Sequence, residues 1–320
     1  MTVRIADGLS GLRSLKDDWD RLHATGKGSL FQSHAWMEAW TTAIAGQDQG
    51  DIRILVADDS CIVPLIVQRR FGIRRLRWLG VEVTDYCDVI AAGDTPAAGI
   101  RANLPPADIV ELRQMRPGSL ASRIFGASVE PDGLSCPYIA VADAEPPKDI
   151  LYAERRAGTV QHHIAADAPE REQVVAFVLA QKRASLVRQG IDTGEFDRRV
   201  TPFMHRLATL DYPAGAQPYF SSLSLDGQTV AAQVGFIEGR SLLYYLPAYD
   251  AAFRQHSPGH LLLLNLLRAA QSMGLETIDL LRGQEPYKFK WTSAQQPLAA
   301  AEWTTGLRGR TFALARRFKG

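Results

Sequence analysis

The segment Arg254 to Trp291, reading RQHSPGHLLLLNLLRAAQSMGLETIDLLRGQEPYKFKW, gathers most of the side chains and backbone donors with which this sequence could do chemistry. Pro258 suits a first helical position, Ser257 is the expected cap ahead of it, and Gly259 and His260 lead into the apolar run Leu261 to Met273. Backbone N–H groups left over at such a helix start, together with the positive end of the helix dipole, attract anions, and Arg254 adds a full charge just upstream. A pyrophosphate suits this turn. So does the plainer reading, a capped core helix whose four consecutive leucines are buried and whose start binds only water.

Gly274 ends the helical pattern, and Glu276 to Leu281 reads as a short buried strand. Asp279, Arg282, Glu285, Tyr287, Lys288 and Lys290 then fall within residues 279–290. Polar groups this dense beside a strand end are the raw material of proton transfer. Asp279 lies between Ile278 and Leu280, so its carboxylate is expected to be buried, and a buried carboxylate must be paired or functional. The structural alternative is an Asp279–Arg282 or Glu285–Lys288 ion pair that fixes the turn.

The elements that must hold these groups fall into two similar halves. In the first, residues 12–23 and 33–45 have helical spacing, with Ser33 as the cap of the second helix. A hairpin follows, 51–57 and 61–69 across Asp58-Asp59-Ser60, then short strands at 75–79, 88–91 and 107–113. In the second half a strand at 158–165 precedes amphipathic helices at 169–188 and 197–210. Strands at 219–225, 228–238 and 241–248 come next, then the Pro258 helix, the Asp279 strand and a last strand at 299–307.

Composition bounds the function. A chain of 320 residues, 46% hydrophobic and 22% charged, has the make-up of a globular protein too long for one ordinary core. The boundary is expected in the proline-rich stretch 143–149, giving domains 1–147 and 148–320. A formal net charge of +1 gives no global pull toward nucleic acid or an anionic membrane. Cys61, Cys87 and Cys136 are too few and too scattered for a disulfide framework or a zinc site, so no metal is expected. The start of the chain lacks a basic-then-apolar leader and no apolar run approaches a membrane span, which together point to the cytoplasm. No Gly-x-Ser-x-Gly elbow is present. His162-His163, on a strand, put one imidazole on each face and read as packing or surface groups.

Gly259-His260-Leu261-Leu262 after an arginine and Ser-Pro, followed by Asp279-Leu280-Leu281-Arg282-Gly283-Gln284-Glu285-Pro286-Tyr287-Lys288 and Trp291, resembles the BioF2-like acetyltransferase branch of the GNAT superfamily, which includes CelD-like cellulose-biosynthesis proteins. Phe31-Gln32-Ser33 with Trp36, Ile62-Val63-Pro64-Leu65, Leu79-Gly80 and Asp85-Tyr86-Cys87-Asp88 extend the resemblance over the first half. A long basic helix common in the middle of that family is replaced here by Ala153-Glu154-Arg155-Arg156 and a strand. Fem-like peptidyl transferases are a more distant likeness.

The resemblance implies an α+β fold of tandem GNAT-like domains, each a mixed, mostly antiparallel sheet flanked by helices. It implies transfer of an acyl group from acetyl-CoA or a longer acyl-CoA to an amine of a small molecule or polysaccharide precursor. Two central strands, here 230–237 and 242–249, would splay, with an amide near Gln233, Val234 and Gly235 polarising the thioester. Arg254, Ser257, Gly259, His260 and Leu261 would hold the pyrophosphate. Tyr287 would be the acid, Asp279 or Glu285 the base, and Lys288 a neutraliser of developing charge. Asp85, Asp88, Tyr249 and Arg282 would meet the acceptor. The alternatives are a Fem-like transferase using aminoacyl-tRNA, and a non-catalytic subunit of an exopolysaccharide system.

Overall fold

The computed structural model describes residues 2–25, 28–45, 47, 50–93, 97–129 and 133–317, with 312–317 by backbone alone. They form two compact units, Met1–Leu134 with Pro297–Gly320, and Ser135–Gln296.

In the first unit β1 (Val3–Asp7) leads to two short helices, α1 (Gly8–Ser14) and α2 (Lys16–Thr25), and then to α3 (His34–Ala43). Ser33 caps α3 as its position suggests, its hydroxyl accepting from the Trp36 N–H at 3.2 Å. β2 (Asp51–Ala57) and β3 (Cys61–Arg70) are the expected hairpin. Asp58 and Asp59 turn it, both in the left-handed region at φ 46° and 49°, which short polar side chains tolerate. β4 (Ile73–Trp78), β5 (Ile90–Ala91), α4 (Ala97–Ala102), β6 (Ile109–Met115), α5 (Leu120–Phe125) and β7 (Ser128–Val129) follow, and the chain returns at its far end as β16 (Ala299–Thr304) and α11 (Gly306–Arg317). The sheet runs β1-β2-β3-β4-β6-β16-β7 with β5 on β3; β4 and β6 are parallel.

The strand near 299 was expected to complete the second half. It pairs instead with β6 and β7, Trp303 opposite Val110 and Ala300 opposite Ser128. Pairing partners are non-local, and a run of alanines carries nothing that names one.

The second unit contains β8 (Ser135–Ala140), α6 (Lys148–Arg156), β9 (Val160–Ile164), α7 (Ala168–Arg188) and a π-helical turn Phe196–Val200 that runs into α8 (Thr201–Ala208). Then come β10 (Ala216–Pro218), β11 (Ser221–Leu225), β12 (Gln228–Glu238), β13 (Ser241–Tyr249), a 3-10 segment Ala251–His256, α9 (Pro258–Ser272), β14 (Thr277–Asp279), α10 (Pro286–Phe289) and β15 (Gln295–Pro297). The sheet order is β15-β8-β14-β13-β12-β11-β9, with β10 on β12. Each unit is therefore a mixed, mostly antiparallel sheet flanked by helices, the α+β architecture expected.

α9 is the organising helix of this unit. Leu261 to Leu264, Leu266 and Leu267 are all buried, so the helix is apolar around much of its circumference. It contacts β11, β12 and β13 and also α6, which covers it. Each buried leucine contributes about 1.5–3 kcal/mol of transfer free energy, and that anchors the helix start against the end of β13.

Candidate active site

The site grows from a break in strand pairing. β13 and β14 run parallel only over Ser241–Leu243 against Thr277–Asp279. From there β14 follows β8: Leu280 N–H donates to the Pro137 carbonyl at 2.9 Å and Gly283 N–H to that of Ser135 at 3.2 Å. β13 meanwhile continues to Tyr249. The two strands thus part beyond Leu243. The pair expected to splay, 230–237 with 242–249, stays in register from Ala231 opposite Tyr249 to Glu238 opposite Ser241, with one irregularity at Gly235. The divergence lies one strand over, between β13 and β14.

At the end of β13 the chain turns into α9. Ser257 sits at φ 52°, ψ 46°, a left-handed conformation uncommon for a residue with a Cβ, and its side chain makes no cap bond. The expected hydroxyl cap is replaced by the Ser257 carbonyl, which accepts from His260 N–H at 2.9 Å and Leu261 N–H at 3.0 Å. Pro258 has no N–H, so Gly259 N–H is the first-turn donor left without a protein acceptor among the described residues. Where a Cβ on Gly259 would stand, the nearest heavy atom is Cδ1 of Tyr249 at 3.5 Å, and nothing else lies within 4 Å. The turn is open. Arg254 is exposed and makes no ion pair among the described residues. A phosphate-bearing ligand fits these features, with Gly259 N–H, the dipole of a fifteen-residue helix and Arg254 to hold it.

His260 projects from the same turn. Its Nδ1 accepts the indole N–H of Trp291 at 2.9 Å, its ring stacks on Trp291 (centroids 6.2 Å, 26°) and meets Tyr287 edge-on (6.3 Å, 76°). Burial lowers its pKa, the Lys290 charge adds to this, and Asp149, ion-paired with Lys290, opposes it. A neutral ring with Nδ1 occupied carries its proton on Nε2. His260 is therefore a hydrogen-bond donor and not a base.

Beyond β14 the segment 281–291 doubles back, with Leu281 and Gly283 at φ 56° and 127°. Lys288 holds that shape. Its buried Nζ donates to the carbonyls of Leu281 (3.2 Å), Arg282 (3.0 Å) and Gly283 (3.4 Å) and pairs with Glu285 Oε2 at 2.9 Å. Three donors already serve four acceptors, which makes Lys288 a staple for the loop. Glu285 is the exposed partner of this pair. Burial alone would raise its pKa, but the hydrogen bond from Lys288, with the charges of Lys288 and Lys182, brings it below the usual value. Tyr287 is half-buried, and burial, reinforced by the Glu285 charge, raises its pKa well above that of a free phenol. It stays protonated.

Asp279 is only partly buried, and its Oδ1 accepts Leu281 N–H at 2.8 Å. Arg282, three residues further along the chain, is half-buried. Tyr249 is exposed and lies against Gly259.

Three of the expected residues lie within β12 and two in the first unit. Gln233 and Val234 are buried in β12, paired on both sides or with β13. Gln233 Nε2 donates to the Tyr219 carbonyl at 2.7 Å. A Cβ on Gly235 would meet Gln233 Oε1 at 2.2 Å and the Leu243 carbonyl at 2.7 Å, so the close approach that requires glycine there is to its own sheet. Asp85 and Asp88 belong to the first unit. Asp85 is buried, and Asp88 Oδ1 accepts from Val89 N–H (2.8 Å) and Ala121 N–H (2.7 Å), at the start of α5. Burial raises the Asp88 pKa against these bonds.

One group in this neighbourhood was not singled out in the sequence, Lys182 on α7. It follows the buried Val175, Val178 and Leu179 at helical spacing, a signal visible in the sequence but easily read as the edge of a stripe.

Residues 148–289 match the family model of the Acetyltransferase (GNAT) domain. This GNAT match spans α6 through α10 and so includes α9, the β13–β14 divergence and Tyr287. FemX shares the fold at TM-score 0.58 and 10% identity, over 93% of this chain and 98% of its own. L-PGS from Bacillus licheniformis shares it at 0.57 and 10%, over 94% and 95%. The C-terminal domain of a putative lysylphosphatidylglycerol synthetase from Agrobacterium fabrum shares it at 0.56 and 12%, over 87% and 95%. No curated protein matches the chain. Among the described residues no helix is long and apolar enough to cross a membrane.

Proposed function

We propose that the second unit is an acyl-CoA-dependent N-acyltransferase acting on the amine of a small molecule or polysaccharide precursor. The observation that carries this reading is the conjunction at one end of the sheet: strands that part beyond Leu243, an open first turn of α9 with the Gly259 N–H unpaired, and Tyr287 protonated nearby.

Arg254, the Gly259 N–H and the α9 dipole hold the diphosphate of the co-substrate, and the Nε2–H of His260 adds a donor at the same turn. Backbone groups of β13 past Leu243 are available to the part of the co-substrate that leads to the acyl carbon, because β14 no longer covers them. The co-substrate supplies an activated carbonyl. The amine nitrogen attacks that carbon, the carbon–sulfur bond breaks, and the electron pair leaves with the sulfur. Tyr287 gives its proton to the thiolate, and the exposed Glu285 carboxylate takes the proton lost by the amine, after which solvent returns the phenol and the carboxylate to their starting states. Lys288 acts indirectly by fixing the 281–283 loop on which Glu285 and Tyr287 depend.

FemX, L-PGS and the putative lysylphosphatidylglycerol synthetase domain share the fold, and the alternative reading is a Fem-like transferase with an aminoacyl-tRNA donor. A net charge of +1 does not supply the extended basic surface such a donor demands. Titration calorimetry with CoA decides between them. Binding in the micromolar range supports the acyl-CoA reading, and absence of binding to a folded sample overturns it.

A further inference from the structure

α7 carries an ammonium group, that of Lys182, which bonds to no other side chain or carbonyl among the described residues. Lys182 continues the apolar stripe of Val175, Val178 and Leu179, the face by which α7 packs against β12 and β13, and is half-buried there. Among the described residues its ammonium makes no hydrogen bond and no ion pair. Glu285 is the carboxylate near enough to attract it, and Lys288 is near enough to repel it. Burial, ahead of both, pushes the Lys182 ammonium below the ordinary lysine value.

Glu285 is not available to neutralise Lys182, because its Oε2 is already bonded to Lys288 Nζ at 2.9 Å. Two ammonium groups therefore share one carboxylate beside the Tyr287 phenol, and one positive charge is left over in a half-buried position. An ammonium withdrawn from water and left unpaired is costly, and surface lysines avoid this by reaching out to solvent. A lysine kept on the packed face of a helix, next to groups poised for proton transfer, is instead suited to receive a counter-ion from outside.

We infer that Lys182 binds an anionic group, a carboxylate or a phosphate, carried by the acceptor beside its reactive amine. The acceptor is then an amino acid or a phosphorylated amino sugar and not an uncharged amine. This rests on the acyltransferase reading above. It adds the class of acceptor, and with it a reason for the surplus charge.

The test uses the full chain loaded with CoA. Calorimetric titration compares each L-amino acid with its C-terminal amide, and glucosamine 6-phosphate with glucosamine, on wild type, Lys182→Met and Lys182→Arg. Acetyl transfer from acetyl-CoA to each is followed by thiol release. At least one anionic member should bind more tightly than its neutral partner. Lys182→Met should weaken that member about 10- to 100-fold, as expected for one charge-assisted hydrogen bond, and Lys182→Arg should restore part of the loss. CoA affinity should be unchanged in both variants, and the melting temperature should not fall in Lys182→Met, which removes an unpaired half-buried charge. Equal binding of charged and neutral partners, no binding by any anionic member, or discrimination that survives Lys182→Met overturns the inference while CoA still binds. Failure of CoA to bind wild type overturns the acyltransferase reading and this inference with it.

Discussion

Trp291 donates its indole N–H to Nδ1 of His260 at 2.9 Å, which leaves Nε2 as the only site for the proton of a neutral imidazole. To become doubly protonated, His260 must give up that bond while half-buried beside Lys290. Trp291→Phe keeps an aromatic face for the stack and removes the donor. The His260 pKa should then rise toward its ordinary value, and the ring should populate both neutral tautomers, as read by nitrogen NMR of the imidazole. An unchanged titration and a single tautomer in the variant would refute the assignment of Trp291 as the group that sets His260.

Lys288 offers a sharper choice between structure and chemistry. If its task is to gather the carbonyls of Leu281, Arg282 and Gly283, Lys288→Met leaves three acceptors and Glu285 without their donor. The expected cost is roughly 2–4 kcal/mol in denaturant unfolding. Activity per folded molecule should fall as the loop loosens. A variant as stable as wild type that had nonetheless lost turnover would instead put the ammonium in the reaction.

Gly259→Asp separates the anion site from the helix it begins. Its Cβ meets only the Tyr249 ring at an ordinary 3.5 Å, and an acidic residue in a first turn favours the helix dipole by about 0.3–1 kcal/mol. Melting temperature should hold or rise. CoA affinity should drop by about 100-fold or more, because a carboxylate now faces the position meant for phosphate. Equal CoA affinity in the two proteins would move the diphosphate away from this turn.

Much of this was legible in the sequence. Pro258 and Gly274 bracket α9, Ser33 caps α3, and Asp58-Asp59 turns the β2–β3 hairpin, because each rests on contacts within a few residues. What escaped was non-local. Nothing in Ala299–Thr304 names β6 as its partner, and nothing in 228–249 says that β12 stays paired while β13 and β14 part. Ser257 looked like a side-chain cap, but its left-handed backbone turns its carbonyl into the acceptor and leaves the hydroxyl out. Lys182 was passed over because a lysine at the edge of a stripe is usually solvated, and only the packing of α7 on the sheet shows otherwise.

Gly235 follows from the same distinction. Its glycine is demanded by the Leu243 carbonyl, 2.7 Å from where a Cβ would lie, and by Gln233 Oε1 at 2.2 Å. Gly235→Ala should therefore destabilise the second unit by roughly 2 kcal/mol or more, as measured by chemical denaturation. Retained CoA affinity in the folded fraction would agree with a glycine that serves the sheet. A stable variant that had lost CoA binding would return Gly235 to the cofactor.

His162 sets an acid limit on the fold. It is half-buried on β9 with Nε2 unpartnered, whereas its neighbour His163 is exposed and bonded to Glu170 at 3.0 Å. Burial, reinforced by the His163 charge, lowers the His162 pKa from 6.5 to about 4. Below pH 6.5 the unfolded chain takes up a proton that the native protein refuses, so stability falls with pH until the native group titrates near 4. A shift of this size corresponds to roughly 3 kcal/mol lost across that window. His162→Leu removes the proton uptake and keeps the apolar contacts. Its unfolding free energy should change less than that of wild type between pH 6.5 and 4, by about the same amount, and parallel profiles for the two proteins would show that the imidazole is solvated in the native state.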